Sequence, residues 1–325
     1  MIRMAHGSGG KETEELVKTV FLKHFHSDAL GRLEDAAVLE LSGKAAFTTD
    51  SFVVTPLFFK GGDIGRLAVC GTVNDLLMMG AQPRYLSAGF IIEEGLALET
   101  LDAVAGSMAR TAEEAGVSIV AGDTKVIEGH GGLYINTAGL GAIPDGRDFG
   151  AAQCAAGDAI LVSGHLGDHH ACILSARMKI ENGIESDAAP LCAPVKALLN
   201  SGAQVKAMRD VTRGGLATIL NELCAASGTG AELEEAALPV SAQTAAFCEI
   251  LGLDPLYMGN EGKFAVVVKD EDAQKALDAL RSTPEGRHAA VIGRIVKAQG
   301  ITLETKLGGR RRLGVLAGEG LPRIC

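Results

Sequence analysis

The run Ile64-Gly-Arg-Leu-Ala-Val-Cys-Gly-Thr-Val-Asn-Asp-Leu-Leu-Met-Met79 is apolar around nearly its whole circumference, which predicts a mostly buried helix. The chain continues with a predicted strand at residues 85–92 and a long helix at 98–115, closed by the helix-stopping Gly116. A short apolar strand is predicted at 117–121. Because helices and strands mix without the strict alternation of a doubly wound sheet, the sequence predicts the α+β class.

Further elements are predicted on both sides of this stretch. An amphipathic helix is expected at residues 11–25, after a flexible opening. The other predicted helices are 170–180, 192–200, 216–227, 247–251 and 273–280, and the other predicted strands are 36–41, 45–50, 133–143, 159–163, 264–269, 290–295 and 301–307.

A polar, turn-rich segment at residues 144–157 predicts a domain boundary. The length of 325 residues suits two domains that each bury a core. We therefore expect an N-terminal domain at 1–150 and a C-terminal domain at 151–317. The last residues, 318–325, are expected to form a mobile tail.

Composition excludes several classes of partner. A net charge of −10, the absence of tryptophan and an aromatic content of 4% disfavour a nucleic-acid-binding protein. The chain has no run of 18 apolar residues that would predict a membrane span, and its start does not resemble a signal peptide.

The seven cysteines have no CxxC spacing, which indicates core residues rather than zinc ligands. A reducing cytoplasm is the expected compartment.

The chain ends in Leu321-Pro-Arg-Ile-Cys325, which places a thiol on the last residue. The terminal carboxylate disfavours the thiolate, so a group carrier loaded by another enzyme is a better hypothesis than a pre-activated nucleophile. A terminal cysteine without function is the alternative. The basic run Arg310-Arg-Arg312 is expected on an exposed strand or turn.

Five aspartates follow or interrupt apolar segments and have small neighbours. This is the pattern expected of carboxylates that bind magnesium ions together with substrate phosphates. Turn formation or helix capping is the alternative for each one alone. The one within the buried helix is the most informative, because an unpaired buried carboxylate costs several kcal/mol. They are Asp35, Asp50, Asp75, Asp123 and Asp210.

Glycine-rich segments at residues 7–10, 61–62 and 214–215 would let backbone N–H groups approach a phosphate, although most such pairs are turns. No Walker A loop or GxGxxG fingerprint supports the common nucleotide folds. Glu261 is a candidate general base or metal ligand, with a surface turn as the alternative. The histidines near residue 165 lack the spacing of a metal site.

In order along the chain, these segments resemble the HypE family of hydrogenase maturation proteins. The resemblance covers essentially the whole chain, and the terminal Pro-Arg-Ile-Cys distinguishes it from a wider superfamily similar to aminoimidazole ribonucleotide synthetase, selenophosphate synthetase and thiamine-monophosphate kinase. The matching stretches are His6–Gly10, Thr49–Ser51, Pro56–Phe59, Asn74–Asp75, Pro83–Leu86, Gly122–Lys125, Asn136–Gly139, Gly164–His169, Asp210–Gly215, Asn260–Lys263 and Pro322–Cys325.

The resemblance implies an N-terminal domain that forms a β-barrel across a homodimer, and a C-terminal αβ sandwich. It also implies that a HypF-like carbamoyltransferase loads the terminal cysteine. ATP with Mg²⁺ would then drive dehydration of the thiocarboxamide to a thiocyanate, and cyanide would pass to iron on a HypC–HypD-like complex for nickel–iron hydrogenase.

The resemblance also implies roles for individual residues. Cys325, Glu261 and Lys125 would be catalytic, with Lys125 acting either as a base or as a phosphate clamp. The five aspartates would hold magnesium. The nucleotide would contact Gly7, Gly9, Gly10, Asp50, Asn74, Asp75, Asp123, Thr124, Asp210, Gly214 and Gly215.

Two rival functions remain open from the sequence. A small-molecule kinase or synthetase of the same superfamily would use a diffusible acceptor and would not need the terminal cysteine. A non-catalytic carrier would relay a group on that cysteine, but it would not need the aspartates or Glu261.

Overall fold

A computed structural model describes residues 1–8, 10–33, 36–144 and 146–315. After a 3-10 turn at Met4–Gly7, helix α1 runs through Lys11–Leu16, a π-helical Val17–Phe21 and Leu22–His24. The N-terminal half then contains α2 (Asp28–Gly31), β1 (Lys44–Phe52), β2 (Phe58–Phe59), β3 (Gly62–Asp63), α3 (Ile64–Met78), β4 (Gln82–Glu93), α4 (Leu98–Ala115), β5 (Ser118–Ile127) and β6 (Leu133–Ile143).

The C-terminal half is a second layered unit of strands and helices. Its elements are β7 (Ala159–Val162), α5 (Asp168–Met178), α6 (Cys192–Asn200), β8 (Val205–Asp210), α7 (Gly215–Ser227), β9 (Gly230–Glu234), α8 (Ala242–Leu251), β10 (Phe264–Val268), α9 (Ala273–Arg281), β11 (Ala290–Val296), β12 (Gly300–Glu304) and β13 (Arg310–Leu313).

The N-terminal domain is built on a four-stranded sheet of order β1-β6-β4-β5, in which β4 and β5 are parallel. Alternate residues of β4 and β6 point into a core shared with α3 and α4. The opposite face of the sheet carries Phe47 and Ile91, which are 71% and 44% exposed. This outer face is therefore an uncovered, partly apolar surface.

Helix α3 lies between the two domains, which explains why it is apolar on all sides. The Asp63 carboxylate caps the helix by accepting hydrogen bonds from the backbone N–H groups of Gly65 and Arg66. Thirteen residues of the helix are buried. Residues of α3 and of strands β7 and β10 belong to one continuous apolar core, so α3 joins the two sheets.

The C-terminal domain is built on a seven-stranded sheet of order β13-β12-β9-β11-β7-β10-β8. Strand β10 is buried along its whole length, as expected for a strand covered on both faces. One face of the sheet contributes to the core shared with α3, and the other packs against α7. The two-domain α+β architecture predicted from the sequence is thus confirmed. Within the described ranges, no helix is long and apolar enough to cross a membrane.

Two parts of the predicted secondary structure are wrong. Residues 36–41, predicted as a strand, form no strand, and Val38 is 82% exposed. Strand β5 does not end at residue 121 but continues through Asp123 to Ile127. The opening segment, predicted to be flexible, contains a 3-10 turn at Met4–Gly7. Strands β8 and β9 were not predicted, whereas the arginine run of β13 lies on an exposed edge strand, as expected.

Candidate functional site

Strand β1 and helix α3 bring two of the predicted aspartates to one side of the N-terminal sheet. The Thr48 hydroxyl donates a 2.8 Å hydrogen bond to Asp75 Oδ2. Asp50, two residues further along β1, points to the same face because side chains alternate along a strand. Its Oδ1 accepts the Ser51 backbone N–H at 2.7 Å.

Asp210 joins these two carboxylates from the end of β8 in the C-terminal domain. Together with Thr48, Asp75, Arg209 and Arg213 it lines a cleft of about 610 Å³ between the domains. Burial, followed by the nearby Asp75 charge, raises the Asp210 pKa from 3.8 to about 7. The pKa of Asp75 is also raised, mainly by burial and then by Asp50.

The chemistry of this donor set fits a hard divalent cation. Three carboxylates and a hydroxyl supply the oxygen ligands that magnesium prefers. Burial and the neighbouring carboxylates raise the pKa values of Asp75 and Asp210 although Arg209 lowers both, and a bound cation would relieve the repulsion between the carboxylates. The Arg209 guanidinium is itself paired with Glu222 at 2.6 Å, and both side chains line the cleft.

Glu261 lies in the loop before β10 and completes this acidic region. Its side chain is 4% exposed, so the alternative of a surface turn is wrong. Burial raises the Glu261 pKa well above its ordinary value, and Asp187, Asp210 and Asp50 raise it further. A buried carboxyl with a raised pKa beside other carboxylates is a candidate for proton transfer.

Asn74 has a different role from the predicted nucleotide contact. It is 2% exposed, and its amide bonds only backbone groups. Its Nδ2 donates to the carbonyls of Ala189, at 3.1 Å, and Glu261, at 3.3 Å. Its Oδ1 accepts the Leu191 N–H at 2.8 Å. Asn74 therefore ties α3 to the loop that carries Glu261.

Asp123 and Lys125 lie on the outer face of the sheet, away from the cleft. Asp123 of β5 is paired with Gly89 of β4, Gly89 with Asn136 of β6, and Asn136 with Ser51 near the end of β1. Asp123 is therefore separated from β1 by three inter-strand spacings. Together these spacings are about 14 Å. The Lys125 ammonium lies 2.7 Å from Asp123 Oδ2. Within the chain, Asp123 therefore lies apart from Asp50 and Asp75, and its predicted role as a metal ligand stays a prediction.

An apolar cavity of about 280 Å³ lies beside this outer pair. Helix α1 contributes Val17 and Phe21, β4 contributes Phe90, and Asp123 and Thr124 stand at one side. The predicted glycine segment at residues 7–10 packs against strand β5, which also carries Asp123 and Thr124. A Cβ on Gly7 would lie 2.6 Å from the Val126 backbone nitrogen, and the Gly10 carbonyl accepts the first backbone bond of α1.

The Gly214–Gly215 pair forms a turn that starts α7. Both residues have positive φ values, and a Cβ on Gly215 would lie 2.5 Å from the Leu256 carbonyl oxygen. The Gly215 N–H is bonded to the Thr212 carbonyl. Tight local geometry accounts for both glycines, and the Gly215 N–H is not available to a phosphate.

Several predicted residues cannot be placed. Gly9, Asp35, Cys325 and the predicted tail at 318–325 lie outside the described residues. In the described part of the chain, no group of three or more His, Cys, Asp or Glu side chains is arranged to hold a metal ion. Five of the six described cysteines are buried, as predicted.

Sequence reasoning missed two groups at the site. Arg213 lines the cleft and lowers the Glu261 pKa, although the sequence singled out only its glycine neighbours. Asp187 accepts the Glu261 backbone N–H at 3.0 Å. It stands in Glu185-Ser-Asp-Ala-Ala189, which resembles an ordinary loop, and no sequence signal could have found it.

Comparison with known proteins gives one consistent result. The N-terminal domain of AIR synthase related proteins matches residues 33–143, and the C-terminal domain of the same proteins matches 155–306. The carbamoyl dehydratase HypE of Rhodobacter capsulatus is 47% identical over all of this chain and 98% of its own length.

Solved structures agree with that result. A hydrogenase maturation protein HypE in complex with ATP is 46% identical and superposes with a TM-score of 0.96, covering 100% of both chains. A HypE–HypF complex contains a chain that is 43% identical, with a TM-score of 0.82, covering 94% of this chain and 100% of that one.

Proposed function

The chain belongs to the HypE family of AIR synthase related proteins, and we propose that it is an ATP-dependent carbamoyl dehydratase of hydrogenase maturation. Its substrate is a carbamoyl group carried as a thiocarboxamide on its own Cys325. The observation that carries this proposal is the buried Glu261, placed beside the carboxylates of an interdomain cleft. Relatives named carbamoyl dehydratase match over the full chain, and a relative is known with ATP.

The reaction balances with ATP as the only co-substrate. The amide oxygen attacks the γ-phosphorus, and the bond from phosphorus to the ADP oxygen breaks. The nitrogen then loses both protons while the carbon–oxygen bond breaks, which releases phosphate and leaves a thiocyanate on sulfur. Phosphorylation is needed because an amide oxygen is a poor leaving group, whereas phosphate is a good one.

Glu261 is the proposed base for the nitrogen protons. Its burial limits its contact with bulk water and raises its pKa well above the ordinary value. Lys125 is the proposed phosphate clamp, because its ammonium is already held by Asp123 and is 64% exposed.

Magnesium is the proposed metal of the cleft, held by Asp50, Asp75 and Asp210. When bound, it neutralises phosphate charge and aligns the groups that react. The Thr48 hydroxyl orients Asp75 toward this position through its 2.8 Å hydrogen bond.

The nucleotide site is proposed to be shared between two copies of the chain. The apolar cavity beside Asp123 and Thr124 has the size and lining for a purine base, and the Gly7–Gly10 segment covers the same strand. Asp123 lies three strand spacings, about 14 Å, from Ser51 of β1, and Asp50 of the cleft group points to the other face of the sheet. In a homodimer that closes the outer sheet faces into a barrel, Asp123 and Lys125 of one copy can meet the cleft of the other. The same association covers Phe47 and Ile91.

Partners follow from the reaction. A HypF-like carbamoyltransferase supplies the carbamoyl group, and a relative is known in complex with HypF. A HypC–HypD-like complex carries the iron that accepts cyanide for nickel–iron hydrogenase. Because ATP is a cytoplasmic metabolite, the proposal places the protein in the cytoplasm.

Intact mass tests the proposal directly. The protein is incubated with a HypF-like carbamoyltransferase, carbamoyl phosphate and ATP, and the carbamoylated form is isolated. We expect one carbamoyl group on Cys325, followed by loss of one water only when ATP is added again. Cys325→Ala should prevent modification while ATP binding survives.

The other outcomes identify the rival functions. No adduct on Cys325, together with ATP turnover on a diffusible acceptor, would indicate a small-molecule kinase of the superfamily. A stable adduct that never loses water would indicate a carrier without catalytic activity.

A further inference from the structure

A buried ion pair outside the cleft carboxylates fixes the loop that carries Glu261. Asp187, in the segment between α5 and α6, accepts the Glu261 backbone N–H through Oδ1 at 3.0 Å. Its Oδ2 lies 3.4 Å from the Lys263 ammonium. The side chains of Asp187 and Lys263 are 5% and 11% exposed, so the pair lies in the protein interior.

Several backbone groups of the loop are also held by hydrogen bonds. Lys263 donates to the Gly262 carbonyl at 2.8 Å, and the Lys263 carbonyl accepts the Val211 N–H at 2.8 Å. A Cβ on Gly262 would lie 1.9 Å from the Asp187 carbonyl oxygen. The loop backbone is thus packed tightly against the Asp187 segment, and this packing fixes the position of the Glu261 backbone from which its side chain extends.

A buried ion pair is weak evidence for stability, because desolvation offsets most of the Coulomb gain. An apolar pair of the same volume would serve the fold as well. The hydrogen bond to the Glu261 N–H is different, since no apolar side chain can replace it. The specific contribution of Asp187 is therefore to fix the position of the Glu261 backbone N–H.

We propose that Asp187 is a positioning residue for Glu261, with Lys263 as its counter-ion. The pair holds the Glu261 carboxylate where it can take a proton from the carbamoyl nitrogen. This inference rests on the proposed dehydratase function. Asp187 itself does not touch the substrate.

Single-turnover dehydration of the isolated carbamoylated protein, followed by intact mass, tests the assignment. Asp187→Leu removes the hydrogen-bond acceptor and should slow dehydration about 100-fold, the loss expected from a misplacement of about 1 Å. Carbamoyl loading and the Kd for ATP should stay at the wild-type values. Asp187→Asn keeps an acceptor oxygen and should return the rate to within about 10-fold of wild type.

A matched control exists in the same domain. Asp272 also accepts a backbone N–H, that of Gln204 at 2.9 Å, and also pairs with a lysine, Lys275 at 2.6 Å. It lines neither the cleft nor the Glu261 loop. Asp272→Leu should therefore lower the melting temperature without changing the dehydration rate of the folded protein.

Two results would overturn the inference while leaving the function intact. One is a folded Asp187→Leu protein that dehydrates at the wild-type rate. The other is a parallel loss of dehydration, loading and ATP affinity in both Asp187 variants, which would show a structural role only. If the wild-type protein itself never loses water on addition of ATP, the proposed function fails and the assignment fails with it.

Discussion

The inner carboxylates of the cleft and the outer pair on β5 come from similar short motifs but have opposite electrostatics. Burial and mutual repulsion raise the pKa values of Asp75 and Asp210. The hydrogen bond from Lys125 lowers the pKa of Asp123, whose side chain is 68% exposed. In the inner group burial and repulsion outweigh the nearby Arg209, whereas the outer carboxylate is paired directly with a lysine.

This difference separates two tasks that the sequence assigned to a single set of aspartates. Carboxylates that repel each other are suited to bind a metal ion, because the ion removes the repulsion. A lysine–aspartate pair on an exposed strand is suited to contact phosphates, with the carboxylate holding the lysine in place. One chain holds the two groups on opposite faces of a sheet.

The largest expected effect comes from removing the base of the inner region. Glu261→Gln keeps the shape of the side chain but cannot accept a proton. We expect dehydration of the carbamoylated protein to fall about 1,000-fold, within the range for general-base catalysis. Single-turnover intact mass measures the rate. A variant that dehydrates normally would remove Glu261 from the mechanism and leave the inner region with metal binding alone.

The next largest effect tests whether one active site is formed by the cleft carboxylates of one chain and the β5 pair of another chain. Asp75→Asn and Asp123→Asn should each lower activity about 100-fold. Co-expression with two affinity tags gives dimers that contain one chain of each kind. In these dimers one of the two sites has both wild-type carboxylates, so purified mixed dimers should regain about half of the wild-type activity. No recovery would mean that each site is built within one chain.

A smaller effect concerns stability and pH in the nucleotide-free, metal-free protein. Asp210 has a folded-state pKa near 7 against an ordinary value of 3.8, so the folded chain binds the proton more tightly. Its contribution to stability is complete below pH 3.8 and is lost as the pH rises through 7. Asp210→Asn should remove this loss and stabilise the protein at pH 8 by about 1 to 3 kcal/mol.

Thermal unfolding between pH 5 and 8, with and without magnesium, measures that change. Magnesium should flatten the wild-type profile and leave the Asp210→Asn profile unchanged. A wild-type profile that rises with pH over this range would contradict the raised pKa.

The smallest effect is expected at the outer pair. Lys125→Met breaks an exposed ion pair, so the free energy of unfolding should change by less than about 0.5 kcal/mol. ATP affinity should still fall about 10-fold, because a charged hydrogen bond to phosphate is lost. Chemical denaturation and calorimetric titration measure the two quantities. A large loss of stability would show that the pair supports the fold rather than the ligand.

The strongest parts of the fold could be predicted from local patterns. Helix α4 and strand β6 have the predicted bounds, because an amphipathic repeat ends at Gly116 and an apolar strand is flanked by glycines. Residues 36–41 have strand-like composition but no partner strand, and composition alone supplies no hydrogen bonds. Strand β8 contains Lys206 and Arg209, so its burial between sheet and cleft left little signal.

The sequence named the acidic residues of the candidate site but neither Arg213 nor Asp187, and it could not predict how these residues are arranged. Asp123 was predicted to follow a short strand, and only pairing with β4 shows that β5 continues past it and turns it outward. Asn74 sits in a motif with Asp75, yet one side chain bonds backbone and the other faces the cleft. Asp187 depends on a contact between segments about 74 positions apart in sequence, which no local pattern encodes.

The amide of Asn74, bonded to the Glu261 carbonyl, has a consequence for native-state hydrogen exchange. The Glu261 N–H is itself bonded to a buried carboxylate, and its carbonyl is held by a helix of the other domain. Such an amide exchanges only when large cooperative units open, unlike the amides of most catalytic loops. The Glu261 amide should therefore exchange with the slowest amides of the molecule, and movement during turnover should fall to the groups that approach this loop.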